Sequence, residues 1–515
     1  MRLLRSTFVI GGYTLVSRIL GFVREMLLAG VLGAGPVADI FLLAFRFPNL
    51  FRRVFAEGAF NAAFVPLYSR RIAAEGQEAA DRFASDVLSG LTLVVGALTV
   101  LAIIAMPWLA YSFGFGKADD PELFGLLVLY TQITMPYLLF MSLTAMFSGI
   151  LNARDKFAAA AAAPIFLNIV LVAILWFSQG ESQTETALRL SIGVALSGIL
   201  QVALVYWSCR RMGVKLRFPR PRWTPSVKRL VMLGVPGVLS AGAIQINIVV
   251  SSAIASIQPG AVSWLYYADR LYQLPLGMVG IAMGVALLPA LSKRLGADDV
   301  AGANQTMNRA FELSMLLTLP AAVALAVIPD FLIGALYQHG AFTETDARNT
   351  AIAVFIFALG LPAFVLVKVF QPGFYARENT KTPMIYAVIA MVANVVIGAG
   401  LFFGGMDFVG LAIGTLASGW INTLLLLQRL VRDGLYAPDK RLFARLPRIL
   451  IAASLMGAAL WFGGRALSPW LNQSIALDIL LAVGLSAAGG IVYLVTALAV
   501  RATRTADLKG VFVRR

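Results

Sequence analysis

Charge is what this sequence has least of. Only 13% of its 515 residues are Asp, Glu, Lys or Arg and 59% are apolar, against about 25% and about 45–50% in a soluble globular protein. That deficit excludes a soluble enzyme. Cysteine and histidine occur once each, as Cys209 and His339. One thiol excludes an intramolecular disulfide and a thiolate cluster, and one imidazole leaves no pair for a metal site. Also missing are a glycine-rich phosphate loop, HExxH, GxSxG and an Asp-rich metal motif. His339 falls in an expected extracytoplasmic loop, where a satisfied or solvated role outweighs catalysis. A hydrolytic pair made from Asp39 and Asp269 is disfavoured. The chain therefore reads as a non-enzyme with no resident cofactor.

What is present in abundance is apolar length. A spanning helix needs about 20 apolar residues, and the mean hydropathy of +0.81 leaves room for a dozen or more. Runs this long reject an outer-membrane barrel, whose strands alternate over about ten residues. Arg2 and Arg5 before an apolar run resemble a signal peptide, but the run reaches Val31 and contains Arg18 and Arg24, so an uncleaved first helix is expected. Division at charged and turn-rich segments predicts fourteen spans: 7–33, 37–69, 87–113, 123–150, 159–178, 187–209, 229–257, 262–292, 307–335, 349–374, 383–404, 408–431, 446–466 and 476–500. The net charge of +16 is then read by position rather than as affinity for nucleic acid. Of 42 Lys and Arg, 31 fall on one side of this arrangement, seven inside spans, and only Lys117, Arg189, Arg348 and Arg465 on the other. Short cytoplasmic loops collect cations, so both termini are expected in the cytoplasm.

The chain also repeats itself. AFVPLYSRR at 63–71 parallels ALLPALSKR at 286–294, and NARDK at 152–156 parallels YAREN at 375–379, both at a shift of 223. Pro136 and Asn168 pair with Pro362 and Asn394 at 226. An even number of spans per copy gives both copies one orientation, with a pseudo-twofold axis along the membrane normal. The expected fold is an all-α polytopic membrane protein of fourteen transmembrane helices. Its N-lobe is 1–209, a basic linker 210–228 follows, the C-lobe is 229–431, two C-terminal helices occupy 446–500, and 501–515 is a basic cytoplasmic tail. Prolines within spans (Pro48, Pro136, Pro236, Pro275, Pro320, Pro362) free backbone carbonyls and bend helices. That suits a rocking protein, although proline is also common in membrane helices.

Seven cations lie inside predicted spans: Arg18, Arg24, Arg46, Arg52, Arg53, Arg270 and Lys368. An arginine at the centre of a span costs roughly 2.5–3.5 kcal/mol on insertion scales, so the set should face water or a partner. Near span ends, as for Arg24, Arg52 and Lys368, snorkelling to headgroups is the plainer account. Asp39, Arg46 and Arg53 recur every seven residues, and Asn49, Glu57 and Asn61 extend the stripe, so the second span has a continuous polar face. Ser263 and Arg270 are also seven apart, beside Tyr266, Tyr267 and Gln273, and Arg46 and Arg270 correspond at 224. Asp39 and Asp269 are candidate ion-pair partners for these cations. The surplus positive charge fits a phosphorylated substrate, because guanidinium grips phosphate oxygens bidentately and stays ionised.

At this point the chain resembles the MurJ/MviN lipid II flippase family, within the multidrug/oligosaccharidyl-lipid/polysaccharide exporter superfamily. The resemblance spans essentially the whole chain. It is carried by SRILGFVRE (17–25), Asp39 with FRFPNLFRRVFAEGAFNAAFVP (45–66), SWLYYADRL (263–271) and KVFQPGFYAR (368–377). It implies a V-shaped pair of six-helix lobes, with the last two helices forming a groove for a lipid tail. It also implies transport of undecaprenyl-pyrophosphoryl disaccharide-pentapeptide to the periplasmic leaflet of the bacterial inner membrane by alternating access. By that similarity Arg18, Arg24 and Arg270 hold the pyrophosphate, while Asp39, Asn49, Arg52, Arg53, Ser17, Ser263 and Asp269 shape the cavity or its gates, with Arg46 beside them. Gln273 stands where relatives often carry an acid. For a coupling ion such as sodium the nearest polar candidates are Asn247 and Asn394, and the membrane potential is an alternative drive. Lipid II, membrane lipids and cell-wall synthesis proteins are the expected partners. A multidrug or other oligosaccharide-lipid exporter, or a non-transporting cell-wall scaffold, is the competing reading. The multidrug exporter should expose acids to cationic drugs, where this chain exposes arginines.

Overall fold

The computed structural model describes residues 2–52 and 59–503, and among these no strand occurs. The helices of the first part are α1 Arg2–Leu32, α2 Pro36–Arg52, α3 Ala59–Glu75, α4 Gln77–Ile104, α5 Met106–Gly114, α6 Pro121–Thr134, α7 Tyr137–Ala153, α8 Ala158–Phe177, α9 Gln183–Arg211 and α10 Pro225–Ala255. There follow α11 Ala261–Leu295, α12 Val300–Val327, α13 Pro329–Tyr337, α14 Glu344–Tyr375, α15 Lys381–Leu401, α16 Asp407–Arg432, α17 Lys440–Leu467 and α18 Ile475–Ala499. Among the described residues nine helical stretches are long and apolar enough to cross a membrane. The chain is a multi-pass membrane protein.

Each predicted span has a helical counterpart, and among the described residues three are divided. Segment 87–113 becomes α4 and α5, 123–150 becomes α6 and α7, and 307–335 becomes α12 and α13. Proline explains these breaks: Pro107 and Pro329 open their helices and Pro136 stands at the start of α7. Lacking an N–H, proline is tolerated in a first turn and ends the helix before it. Segment 37–69 holds α2 and α3 on either side of residues 53–58, which lie outside the described residues, with Asp39, Arg46 and Asn49 on α2 and Asn61 on α3. Arg53 and Glu57 lie outside the described residues, as do the side chain of Arg52 and most of the basic tail. Helix starts carry their own acceptors: Asp120, Ser182, Thr224, Asp299, Thr343, Asp439 and Ser474 each take a backbone N–H of the first turn. Such a cap is worth about 1 kcal/mol.

By packing, the chain divides into residues 1–263 and 264–515. In the first unit α1 lies on α8, α9 on α7 and α8, α2 on α6, and α10 on α3 and α5. α10 thus packs with the unit that precedes it, although the sequence repeat begins there. In the second unit α14 packs on α12 and α16, α15 on α16, and α17 and α18 on one another. Ile328, Phe331 and Ala335 meet Met456, Leu460, Ala482 and Leu485, fixing the last two helices to α12 and α13. Large apolar side chains on the outer faces of α17 and α18, among them Phe462, Leu480, Val483 and Ile491, are exposed. In a membrane those faces meet lipid.

The duplication is visible in how each unit holds the segment after its α9 or α16 helix. In the first unit buried Asp81 on α4 accepts from Lys215 N–H (3.0 Å), Tyr68 Oη (2.9 Å) and Arg154 (2.5 Å), and Ser85 Oγ accepts from Arg217 N–H (3.0 Å). In the second unit, 223 residues on, Asn304 and Asn308 of α12 do the same work. Asn304 Oδ1 accepts from Ala437 N–H (2.8 Å), and Asn308 Oδ1 accepts from Asp439 N–H and Tyr436 Oη (both 3.1 Å). Arg377, the counterpart of Arg154, donates to Leu435 O at 3.4 Å. One clasp is ionic, the other built on amides.

α15 and α16 form a hairpin closed by glycine. A Cβ on Gly414 would lie 2.7 Å from Asn394 O and 2.7 Å from Gly398 Cα, so the two main chains touch, as small residues allow between membrane helices. Gly414→Leu should therefore destabilise the purified protein by about 1–3 kcal/mol or more, as overpacking costs, and lower its thermal midpoint. Gly400→Ala, with open space around its Cβ, should leave it unchanged.

Candidate substrate-binding site

The first-unit residues expected at the site fall into three settings. Asp39 sits in the first turn of α2, where the helix dipole favours an acid, and it is fully buried. Its Oδ2 accepts from Gly260 N–H (2.7 Å), and Oδ1 accepts from Ser263 N–H (2.9 Å) and Ser263 Oγ (2.7 Å). Lys117 Nζ stands 3.6 Å from Oδ2 and is itself only 3% exposed. The turn carrying Lys117 reaches this depth because Gly116 lets it press against main chain: a Cβ there would lie 2.3 Å from Ile257 N, and Gly116 N–H donates to Ser256 Oγ at 3.1 Å. Asp39 and Ser263 thus come together as partners of each other, with Lys117 as the counter-charge of Asp39.

Further along α2 from that node, Arg46 donates to Ser252 Oγ of α10 at 2.6 Å. It lies at the rim of a small apolar recess lined by Leu43, Phe47, Leu50, Phe113, Ile248 and Val249. Asn49 turns its Nδ2 back to Phe45 O at 2.8 Å. The third setting is α1 against α8. Arg24 pairs with Glu25 and donates to Asn168 Oδ1 at 3.0 Å, with its guanidinium 5.9 Å from the Phe45 ring centre. Asn168 Nδ2 donates to Ser17 O at 2.9 Å. Arg24 is therefore oriented inside the unit, whereas Arg18, six residues earlier on α1, is exposed.

In the second unit Arg270 is half-buried with its guanidinium 4.5 Å from the Tyr266 ring centre, a cation–π arrangement. Gln273 donates to Asp269. A glutamine at 273 is compatible with that contact in a way that a second carboxylate would not be, since two like charges would repel. Lys368 lies on α14, its stem near Gly280 of α11. His339 sets Nε2 3.2 Å from Ala335 O and Nδ1 3.9 Å from the buried Asp478 carboxylate. Asn247 is on α10 and Asn394 on α15. Among the described residues no group of three or more His, Cys, Asp or Glu side chains gathers as a metal site would require.

Two participants escaped sequence reasoning. Lys117 counted as a solvent-side loop cation, yet it is buried on Asp39; its flanking Gly114 and Gly116, both pressed close by neighbours, were the available signal. Asn168 entered only as a member of the repeat and proves to bridge Arg24 and Ser17.

Paired helical units with arginines, amides and hydroxyls set on membrane helices define a polytopic membrane transporter. The same fold is found in an inward-facing multidrug resistance transporter of the MATE family and MOP superfamily, with a TM-score of 0.67 at 15% identity over 83% of this chain and 98% of that one. Sequence narrows the class. The family model described as lipid II flippase MurJ matches residues 28–481. A probable lipid II flippase MurJ of Rhizobium tropici is 44% identical over 480 residues, 93% of this chain and 90% of the relative. A lipid II flippase MurJ solved in an inward closed conformation superposes with a TM-score of 0.77 at 26% identity, covering 96% of this chain and 98% of that one. The chain belongs to the lipid II flippase MurJ family.

The Asp39–Lys117 pair can be checked directly. Lys117→Met leaves a buried carboxylate without its counter-charge and should cost about 3–5 kcal/mol, the usual range for breaking a buried pair. Adding Asp39→Asn should cost less than the sum of the two single changes in a double-mutant cycle read by thermal unfolding; strict additivity would remove the pair from the account.

Proposed function

We propose that this chain is a lipid II flippase: it carries undecaprenyl-pyrophosphoryl disaccharide-pentapeptide from the cytoplasmic to the periplasmic leaflet of a bacterial plasma membrane. The observation that carries this reading is a set of arginines placed on membrane helices in a chain that belongs, over nearly its whole length, to the lipid II flippase MurJ family. The membrane location alone makes those arginines costly, and a diphosphate repays that cost through bidentate, charge-assisted hydrogen bonds. Arg18 and Arg24 on α1 and Arg270 on α11 take the pyrophosphate in this proposal. Ser17, Asn49, Arg46, Arg52, Arg53 and Asp269 border its path, and Asp39 with Ser263 holds the frame from which α2 and α11 depart. The orientation of Arg24 by Glu25 and Asn168 supports a binding role, because a guanidinium fixed in advance loses less freedom on capturing its ligand.

The chemistry is binding and movement, with no bond made or broken. Only the headgroup needs a polar route, so the undecaprenyl tail stays in lipid along α17 and α18, whose apolar outer faces are exposed. Both termini lie in the cytoplasm in this reading, on the side that collects the cations. Alternating access exposes the arginines first to that side and then to the periplasm. The membrane potential resets the emptied, positively charged site, since one elementary charge across 100 mV is worth about 2.3 kcal/mol.

Depletion of the protein should leave the lipid-linked precursor in the cytoplasmic leaflet, read by its inaccessibility to a periplasmic probe. Wild type should restore accessibility and Arg270→Ala should not, at equal protein abundance. A scaffold without transport would tolerate the change, and normal growth with Arg270→Ala as the only copy would refute the assignment of Arg270. Collapsing the membrane potential should shift thiol labelling at cysteines introduced toward the two faces of the bilayer in opposite directions. Labelling unchanged at both would remove the potential from the cycle.

A further inference from the structure

The segment joining α9 to α10 is pinned in a way that its composition does not demand. Val214 is buried and Leu216 partly buried against the core that contains Phe83, Phe147 and Cys209, while Lys215 and Arg217 between and beyond them are exposed. Over these four residues burial alternates, apolar side chains inward and cationic ones outward. Two buried acceptors hold it by main chain alone: Asp81 takes the N–H of Lys215 and Ser85 the N–H of Arg217. Pro219, Pro221 and Pro225 stiffen the remaining stretch up to α10.

The clasp does not need the cations. In the second unit the equivalent positions are Ala437 and Asp439, and the clasp there closes just as well on Asn304 and Asn308. The exposed charge is therefore surplus to holding the segment. Residues 210–229 carry eight Lys and Arg and no Asp or Glu, so their charge is uncompensated within the segment. Two large aromatics stand among them, Phe218 at 65% and Trp223 at 69% exposure. The segment runs directly between two helices read as membrane spans, so it lies at the edge of the bilayer, where tryptophan and other aromatics partition to the headgroup level and polybasic segments are drawn to anionic lipid.

We propose that the outer strip formed by Lys215, Arg217, Phe218, Arg220, Arg222 and Trp223 is a docking surface for anionic phospholipid headgroups, held facing the bilayer by the Asp81–Ser85 clasp. This rests on the membrane-spanning reading and not on what the protein transports. Lys215, Arg217, Arg220 and Arg222 are all exposed, and the exposed aromatics Phe218 and Trp223 anchor the segment at interface depth. Recognition is by charge and depth, so any anionic glycerophospholipid serves, and screening by salt weakens it.

The test uses the full chain with Trp223→Cys carrying an environment-sensitive fluorophore; the native thiol, Cys209, is buried and leaves the label at 223. The protein is reconstituted into vesicles of phosphatidylcholine alone or of phosphatidylcholine with phosphatidylglycerol, each containing a headgroup-region spin-labelled lipid. Quenching and a blue shift should occur in the phosphatidylglycerol vesicles, weaken at high salt, and be lost when Lys215, Arg217, Arg220 and Arg222 are all changed to Gln. The thermal midpoint of that quadruple variant should match wild type, because the clasp uses backbone N–H groups. As a label-free check, the phosphatidylglycerol retained by the purified unlabelled protein in detergent should fall in the same variant. Equal quenching in both vesicle types, or quenching and lipid retention that survive the four changes, would overturn the proposal. A probe that stays in water in both vesicles and shifts only on adding a soluble cytoplasmic fraction would assign the strip to a protein partner instead.

Discussion

A charge removed from water must find its counterpart inside the protein, and in this chain the counterparts come largely from far along the sequence. Asp39 is met by Lys117 and by the main chain of residues 260–263. Asp81 is met by Arg154 and by the linker at Lys215. Arg24 has Glu25 beside it and Asn168 across from it. These polar junctions are few, while the apolar helix faces around them offer little to set one register above another: lipid tails are as apolar as leucine, so burial alone does not choose between arrangements. Directional, desolvated contacts supply that choice. They decide where α2 begins relative to α10 and the start of α11, and how the linker lies on α4.

The helices were largely readable from the chain, because a run of twenty apolar residues has few alternatives. Their interruptions were readable only in part. Pro136 was recognised as a bend and proves to separate α6 from α7, whereas Pro107 and Pro329 end spans that looked continuous. A proline that starts a new helix and one that merely bends an old one have the same local signature, and the difference lies in whether neighbouring elements make room for a change of direction. Of the polar stripe from Asp39 to Asn61, Asp39, Arg46 and Asn49 lie along α2 and Asn61 on α3. The partner of Asp39 was beyond any local pattern: an intramembrane acid suggested an arginine, and a lysine on a short turn supplied the charge. That turn is brought inward by Gly116 lying on Ile257, a contact between residues 141 apart that no periodicity records. Arg18, Arg24 and Arg270 were marked by the cost of their location, and the structure adds how Arg24 is oriented.

Duplication followed by divergence explains why equivalent places in the two units look different. The clasp beneath the first unit's α9 is charged and the one beneath the second's α16 is neutral, although the hydrogen-bond plan is shared. Amide and carboxylate oxygens accept a backbone N–H equally well in geometry, so the same plan closes with either. Arg377, with an amide rather than an acid at position 304, reaches backbone carbonyls of Gly373 and Leu435. The scaffold was kept and its electrostatics rewritten.

The main-chain contact between α15 and α16 limits what the second unit can do when it moves. Helices separated by long side chains can ratchet past each other as rotamers exchange, but Gly414 resting on Gly398 leaves no layer to shear. The hairpin must travel as a single strut. Any change of shape in this half has to be taken up elsewhere, and the prolines within α11, α12 and α14 are the joints available to absorb it.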